Sequence, residues 1–343
     1  MIDRKVGEGQ VAIQPTLSSI CHADLRYYTG NRRPEALAKK LPMALLHEGL
    51  GNIVESKFSG LANGQRVVIV PNIPGYLLNR IDPQDCCHAC RKGIGDNYCQ
   101  NGVFLGSGFD GIGQSRLVIP GECALPVPAN IPDDIAVLTE LCSVSCRAGS
   151  IVEKQLAGAN VAVFGDGPVG YLTAAMLHHV FGVSSDRLHV FGAIREKLDK
   201  FTFAQRAMVQ EYDFANGVRV DVAFECTGGR FSESAINQAI DIMCPGGDLV
   251  ILGVTEERVP INTRDVLERG VTIHGSSRSS IRDFERVLKA MEDPACRQTL
   301  TSLVPDQHNI IHGVKELTDA METTAAHKDW KKTYLNFDWQ QGE

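Results

Sequence analysis

The chain has 343 residues, room for two domains each with its own core. Hydrophobic residues make up 43% and charged residues 22%, and the formal net charge of -7 with no basic run argues against nucleic acid as a partner. No apolar run approaches the ~20 residues that span a bilayer. Met1, Ile2, Asp3, Arg4 and Lys5 lead into mixed polar sequence, not the apolar core of a signal peptide, so the expected location is the cytoplasm.

From the start to about Leu141 the texture is β-rich, with short runs such as 66–71 and 115–120 punctuated by Gly, Pro and Asn. This predicts a small barrel or sandwich carrying loops. From about Ser143 the texture changes. Residues 161–164 read as a buried strand and 169–181 as a helix. Residues 188–191, 220–224, 249–252 and 271–274 read as further strands, most of them separated by segments of helical character. Such alternation predicts a doubly wound parallel sheet, so the chain reads as an α/β protein. After Ser276 the chain is expected to return to the first domain, with an amphipathic helix over 282–291 and a last strand over 332–337. The boundaries expected are 1–142 with 282–343 for the first domain and 143–281 for the second.

Two short segments carry the chemistry. Residues 19–24 contain Cys21, His22 and Asp24, and residues 46–49 contain His47 and Glu48. A thiolate, an imidazole and carboxylates suit a borderline-soft, four-coordinate ion, which points to zinc. Farther on, Gly165, Gly167 and Gly170 fit Gly-x-Gly-x-x-Gly, with Pro168 and Val169 between the last two. Placed after a strand and opening a helix, this turn suits a dinucleotide pyrophosphate. A metal that polarises oxygen and a cofactor that carries hydride together imply interconversion of an alcohol and a carbonyl. The strand 188–191 ends at Gly192, where NAD-binding proteins usually place an acid, and Arg195, Lys197 and Lys200 follow. Cations without that acid suit a 2′-phosphate, so NADP(H) is expected over NAD(H). Four of the eleven cysteines, Cys86, Cys87, Cys90 and Cys99, crowd together, which metal binding explains better than disulfides.

Cys21-x-x-Asp24 with Gly30 behind it, His47-Glu48-x-x-Gly51 and the dinucleotide turn resemble the zinc-dependent medium-chain dehydrogenase family over nearly the whole chain. The resemblance implies a GroES-like β-rich catalytic domain and a Rossmann coenzyme domain. It implies zinc held by Cys21 and His47, Glu48 beside the metal and able to bind it transiently, and Asp24 orienting the zinc histidine. The remaining ligand falls in Leu138–Ser145, where the resemblance to polyol dehydrogenases points to Glu140; Cys142, two residues on, competes if the segment is extended. The second, structural zinc of the family maps to Cys87, Cys90 and Cys99, with Cys86 substituting for the position that falls on Gln84. Two departures stand out: Leu46 replaces a family glycine, and Ala23 replaces a hydroxyl residue that often begins the proton relay, leaving water, Glu48 or a nearby tyrosine for that task.

Residues 21–30, 41–48, 224–230 and 275–279 further resemble the ribitol-5-phosphate dehydrogenase branch. That implies reduction of ribulose 5-phosphate with NADPH, feeding CDP-ribitol for teichoic acids or capsules. The substrate phosphate needs cations, and Arg26, Arg32, Arg33, Lys39, Lys40 and Arg278 are the candidates. Tyr27 and Tyr28 either shape the pocket or pack. The family suggests dimers or tetramers. Two rivals remain: an NAD-linked polyol dehydrogenase of the sorbitol or xylitol type, and a catalytically silent scaffold that binds zinc or nucleotide.

Overall fold

The structure, a computed structural model, describes residues 5–327 and 330–339; of the five N-terminal residues considered above, only Lys5 lies among them. The chain divides into two compact units, Met1–Glu140 with Ser279–Arg297 and Leu303–Glu343, and Leu141–Arg278 with Gln298–Ser302.

The first unit contributes β1 (Gln10–Ser19), β2 (Glu48–Ser56), β3 (Arg66–Ile69), β4 (Asn72–Ile73), β5 (Val103–Phe104), β6 (Leu117–Pro120) and β7 (Ala124–Pro126). The second contributes β8 (Val161–Phe164), β9 (Leu188–Gly192), β10 (Gln205–Met208), β11 (Val220–Glu225), β12 (Met243–Ile251) and β13 (Thr272–Gly275). The chain then returns to the first unit with β14 (Asn309–Ile311) and β15 (Tyr334–Phe337).

The large sheet of the first unit runs β14-β15-β1-β2-β3-β7, with β6 also on β1. β1 is antiparallel to β2, β6 and β15. Pro15 cannot donate to a ladder, and the β1–β2 register shifts between Pro15 and Leu17, which places the bulge where the missing N–H is tolerated. Two helices follow β1: α1 (His22–Tyr28), which starts at Cys21, and α2 (Pro34–Lys40), which carries Pro at its first position.

The second unit is a six-stranded parallel sheet, β10-β9-β8-β11-β12-β13. All four residues of β8 are buried, as a strand covered on both faces requires. The helix Pro168–His179 is buried from Gly170 to Leu177. Chain order reverses around β8, so the switch point lies between β9 and β11, outside the carboxyl end of β8. The expected α/β class, with an antiparallel and a doubly wound sheet, is the one observed.

One strand carries no sequence signal, and one local reading is corrected. β10 reads Gln-Arg-Ala-Met and is half exposed at the sheet edge; without a buried face it lacks the apolar pattern that marks a strand. The segment around Glu140 is not extended but opens the helix Thr139–Ile151.

Candidate metal centre and coenzyme turn

Cys21, His47 and Glu48 each offer a ligand atom, and these three atoms lie within 4.8 Å of one another. Cys21 reaches this position as the extended cap residue before α1, and His47 immediately precedes β2. Asp24, in the first turn of α1 and fully buried, ties the two motifs together. One of its oxygens accepts from the Cys21 N–H at 2.9 Å. The other accepts from the Leu46 N–H and from His47 Nδ1, both at 3.1 Å. That bond leaves Nε2 of His47 as the ring atom for a metal. Burial favours the neutral imidazole, but the charge and hydrogen bond of Asp24 outweigh it and lift the His47 pKa well above its ordinary value. Burial, then Glu48, pushes the Cys21 thiol up. A bound cation reverses that direction, because coordination deprotonates a thiol.

Leu46 holds φ at +76°, in the left-handed region, and is fully buried. This explains why a glycine suits the position before the histidine: an L side chain there costs about 1–2 kcal/mol. The Leu46 carbonyl accepts from the Ile112 N–H at 2.8 Å, so the 111–113 backbone holds the turn in place.

Glu48 is fully buried. Its Oε2 accepts from the Ser19 hydroxyl and lies 2.8 Å from Lys332 Nζ, which also donates to the Ile20 carbonyl at 2.8 Å. Its Oε1 is buried and accepts no hydrogen bond among the described residues. A buried carboxylate oxygen without a donor is a position that a cation satisfies, so the site fits a metal. Ser19 and Lys332 had no sequence signal: neither belongs to a local motif, and Lys332 meets Glu48 only through the pairing of β15 with β1.

Glu140 is buried, and burial raises its carboxyl to about 7. The charges of His47 and Glu48 both bear on it, which places it near the cluster, although it is not one of the three groups within 4.8 Å. Because the segment is helical, Cys142 points roughly 200° away from Glu140 around the axis. Cys142, which competed only if the segment were extended, therefore does not share the face of Glu140.

The four cysteines of the 86–99 lobe also converge. The Cys86–Cys99, Cys87–Cys90 and Cys87–Cys99 sulfur pairs are 3.7, 3.4 and 3.9 Å apart. A zinc tetrahedron with Zn–S near 2.3 Å has edges of about 3.8 Å, so the spacing suits that ion, whereas a disulfide needs about 2 Å. Adjacent Cys86 and Cys87 share the site because Cys87, at φ −153° and ψ 173°, breaks the chain between the short helices Pro83–Cys86 and His88–Arg91. Backbone N–H groups of Cys90 and Gln100 lower the Cys87 thiol to about 6.

In the second unit the glycine turn follows β8 and opens the helix at Pro168, with Gly167 as its cap. A Cβ at Gly170 would lie 1.9 Å from the Gly165 carbonyl oxygen, so no other residue fits there. Around Gly167 a Cβ would meet nothing within 4 Å, leaving backbone open to an approaching phosphate at a helix N-terminus. These features fit a dinucleotide. The bare end of β9 also has a physical reason. Asp166 Oδ2 accepts from the Ala193 and Ile194 N–H groups, both at 2.7 Å, and a Cβ at Gly192 would sit 2.7 Å from the Asp166 Cβ. The turn's own aspartate fills the space an acid at 192 would need. Arg195, expected as a cation for a 2′-phosphate, donates to both oxygens of Glu211 at 2.8 and 2.9 Å; Lys197 is half-buried nearby and Lys200 exposed.

Among the phosphate candidates, Arg26 and Tyr27 lie on α1, Lys39 and Lys40 end α2, and Arg32 and Arg33 lie between them. Arg32 stacks on the Tyr27 ring, 4.6 Å from its centroid, and keeps a buried Nε that meets no acceptor among the described residues. Burial and the charge of Arg32 lower the Arg26 pKa. Arg33 is exposed and caps α2, and Arg278 belongs to the second unit. No helix among the described residues is long and apolar enough to cross a membrane.

Fold and site together define a zinc-binding dehydrogenase. A family model of the alcohol dehydrogenase GroES-like domain matches residues 7–129, and one of the zinc-binding dehydrogenases matches residues 179–293. Ribulose-5-phosphate reductase 1 of Staphylococcus aureus is 38% identical over 95% of this chain and 92% of the relative. The ribulose-5-phosphate reductase of Bacillus spizizenii is 36% identical over 98% and 94%. The crystal structure of S. aureus TarJ in complex with NADPH matches with a TM-score of 0.79 at 34% identity, covering 98% of this chain and 94% of that one. The chain belongs to the zinc-dependent medium-chain dehydrogenase family, in its ribulose-5-phosphate reductase branch.

Proposed function

We propose that this protein reduces D-ribulose 5-phosphate to D-ribitol 5-phosphate with NADPH at a zinc centre. The product would enter CDP-ribitol synthesis for teichoic acid or capsule, and the enzyme would act in the cytoplasm as a homodimer or homotetramer. The choice of substrate is carried by similarity over nearly the full length to ribulose-5-phosphate reductases.

Cys21, His47 and Glu140 would hold the zinc, and Glu48 would stand behind it as an exchanging ligand. When bound, the zinc supplies a Lewis acid toward the carbonyl oxygen and NADPH supplies the hydride. Asp24 keeps the His47 ring in one tautomer and one orientation. Lys332 and Ser19 hold one oxygen of Glu48 and leave the other for the cation. Arg32, with its unmet Nε, and Arg26 are the groups we assign to the substrate phosphate. The cysteine lobe would hold a second, closed zinc that does no chemistry.

NADPH oxidation measured against ribulose 5-phosphate, xylulose 5-phosphate, ribulose, fructose and xylulose tests the reading. Turnover confined to ribulose 5-phosphate supports it. Equal rates with ribulose would remove the phosphate site, and turnover only with NADH and unphosphorylated ketoses would favour a polyol dehydrogenase.

A further inference from the structure

Reduction of a carbonyl needs a proton as well as a hydride. Ala23, near the start of α1, has none to give. One helical turn farther on, the same face of α1 carries Tyr27, because positions four apart lie one above the other. Helical side chains lean toward the N-terminus, so the Tyr27 ring heads back toward the turn that begins at Cys21.

The Tyr27 hydroxyl belongs to a closed triangle. It lies 2.9 Å from Lys40 Nζ and 2.9 Å from Ser107 Oγ, and Lys40 Nζ lies 3.0 Å from Ser107 Oγ. Three parts of the first unit supply these groups: α1, the last residue of α2, and the loop after β5. The loop is tied to the end of β5, where the Ser107 N–H donates to the Phe104 carbonyl at 3.1 Å, and that end lies beside the metal centre, with the Phe104 ring 5.4 Å from the His47 ring. A phenol pinned by an ammonium and a second hydroxyl is an arrangement for releasing a proton and stabilising the phenolate left behind.

We propose that Tyr27 is the acid of the reaction, delivering its phenolic proton to the carbonyl oxygen of the ketose, with Lys40 and Ser107 as its positioning residues. The inference rests on the reading that the protein reduces a ketose. The hydride pair from the reduced nicotinamide forms the new C–H bond at the carbonyl carbon, and the π pair moves to oxygen. The Tyr27 O–H bond breaks as the substrate O–H bond forms. The bonding pair stays on Tyr27 as a phenolate, which takes a proton from water before the next turnover. In the reverse direction the phenolate accepts the alcohol proton.

The surroundings favour this role. Burial alone raises a phenol's pKa, but here the hydrogen bonds from Lys40 and Ser107, and then the charges of Lys40 and Arg32, carry it below its ordinary value. On its own helix the charges are Arg26 and, three residues back, Asp24, whose oxygens are taken up by Cys21, Leu46 and His47; on α2 it is Lys40; between the helices it is Arg32, over the ring. On the loop, Asp110 accepts from the Ala44 N–H at 3.1 Å.

The test compares the zinc-loaded wild type with Tyr27→Phe, Lys40→Met and Ser107→Ala. Tyr27→Phe is expected to lower kcat for NADPH-driven reduction by about 10² or more, with KM, zinc content and NADPH affinity within a few-fold of wild type. Wild-type kcat falls at high pH as the phenol ionises, and this limb disappears in Tyr27→Phe. Lys40→Met moves the limb to higher pH, because the charge that favours the phenolate is gone. A readout free of turnover is the alkaline ultraviolet difference spectrum of the metal-free chain. Wild type minus Tyr27→Phe should show one phenol ionising below about 10.

A Tyr27→Phe enzyme with wild-type kcat and an unchanged pH profile overturns the proposal. If that variant does not fold, an alkaline limb that Lys40→Met and Ser107→Ala leave unmoved overturns it instead. A wild type that ignores ribulose 5-phosphate but reduces another ketone refutes the substrate assignment alone, and the same series is then read with that ketone. A wild type that reduces no ketone overturns both.

Discussion

Lys332 Nζ lies 2.8 Å from the Glu48 carboxylate, with Glu48 fully buried and Lys332 nearly so. The two residues meet because β15 pairs with β1, which in turn pairs with β2. Burial disfavours the ammonium, but Glu48 more than offsets it and raises the Lys332 pKa. Removing one partner of such a pair leaves a buried charge alone, at a cost of about 3–5 kcal/mol. Lys332→Met is therefore expected to lose stability on that scale in urea unfolding. The double variant with Glu48→Gln should recover much of it. Equal stability of Lys332→Met and wild type would contradict this account of the pair.

Asp24→Asn tests the link between the two metal motifs. An amide offers one acceptor where the carboxylate offers two, so either the Cys21 N–H or the His47 and Leu46 pair loses its partner. Zinc affinity measured by chelator competition is expected to fall about 10–100-fold. Unchanged affinity would show that His47 is oriented by something else.

The cysteine lobe is independent of the chemistry in this reading. Cys99→Ser is expected to lower zinc content from two to one per chain and to reduce thermal stability. Turnover per remaining zinc should stay near wild type. One zinc in the wild type, or turnover lost in proportion to the missing ion, would contradict the assignment.

Gly192→Asp, a change that would normally favour NADH, should fail here. The new side chain would collide with Asp166, which is bonded to two N–H groups at 2.7 Å. Weaker binding of both cofactors is expected by fluorescence titration. A clean switch to NADH would show that Asp166 yields easily. By contrast, Glu211→Gln releases Arg195 from an exposed ion pair worth at most about 1 kcal/mol. It should tighten NADPH binding by no more than several-fold.

Short-range features were legible before the fold was known. Cys21, Asp24, His47 and Glu48 lie in compact motifs, and the turn of Gly165, Gly167 and Gly170 sits between a buried strand and a helix that their own residues announce. Long-range features were not. Ser19 and Lys332 join Glu48 only through sheet pairing, and Ser107 and Lys40 reach Tyr27 only when a loop and a second helix fold beside α1. The helix at Glu140 begins in a segment whose near-continuous apolar character does not separate helix from strand. The absence of an acid at Gly192 is visible in the sequence, but the side chain that occupies its space, Asp166, comes from the glycine turn after β8 and is brought there only by the fold.

The most direct measurement is zinc content against turnover. Wild-type protein is assayed with NADPH and ribulose 5-phosphate before exhaustive chelation, after it, and after zinc is returned. Turnover is expected to fall with the catalytic ion, to return on zinc addition, and never to appear in a Cys21→Ala, His47→Ala double variant that still binds NADPH. Full turnover in metal-free protein, or in that double variant, would contradict this expectation.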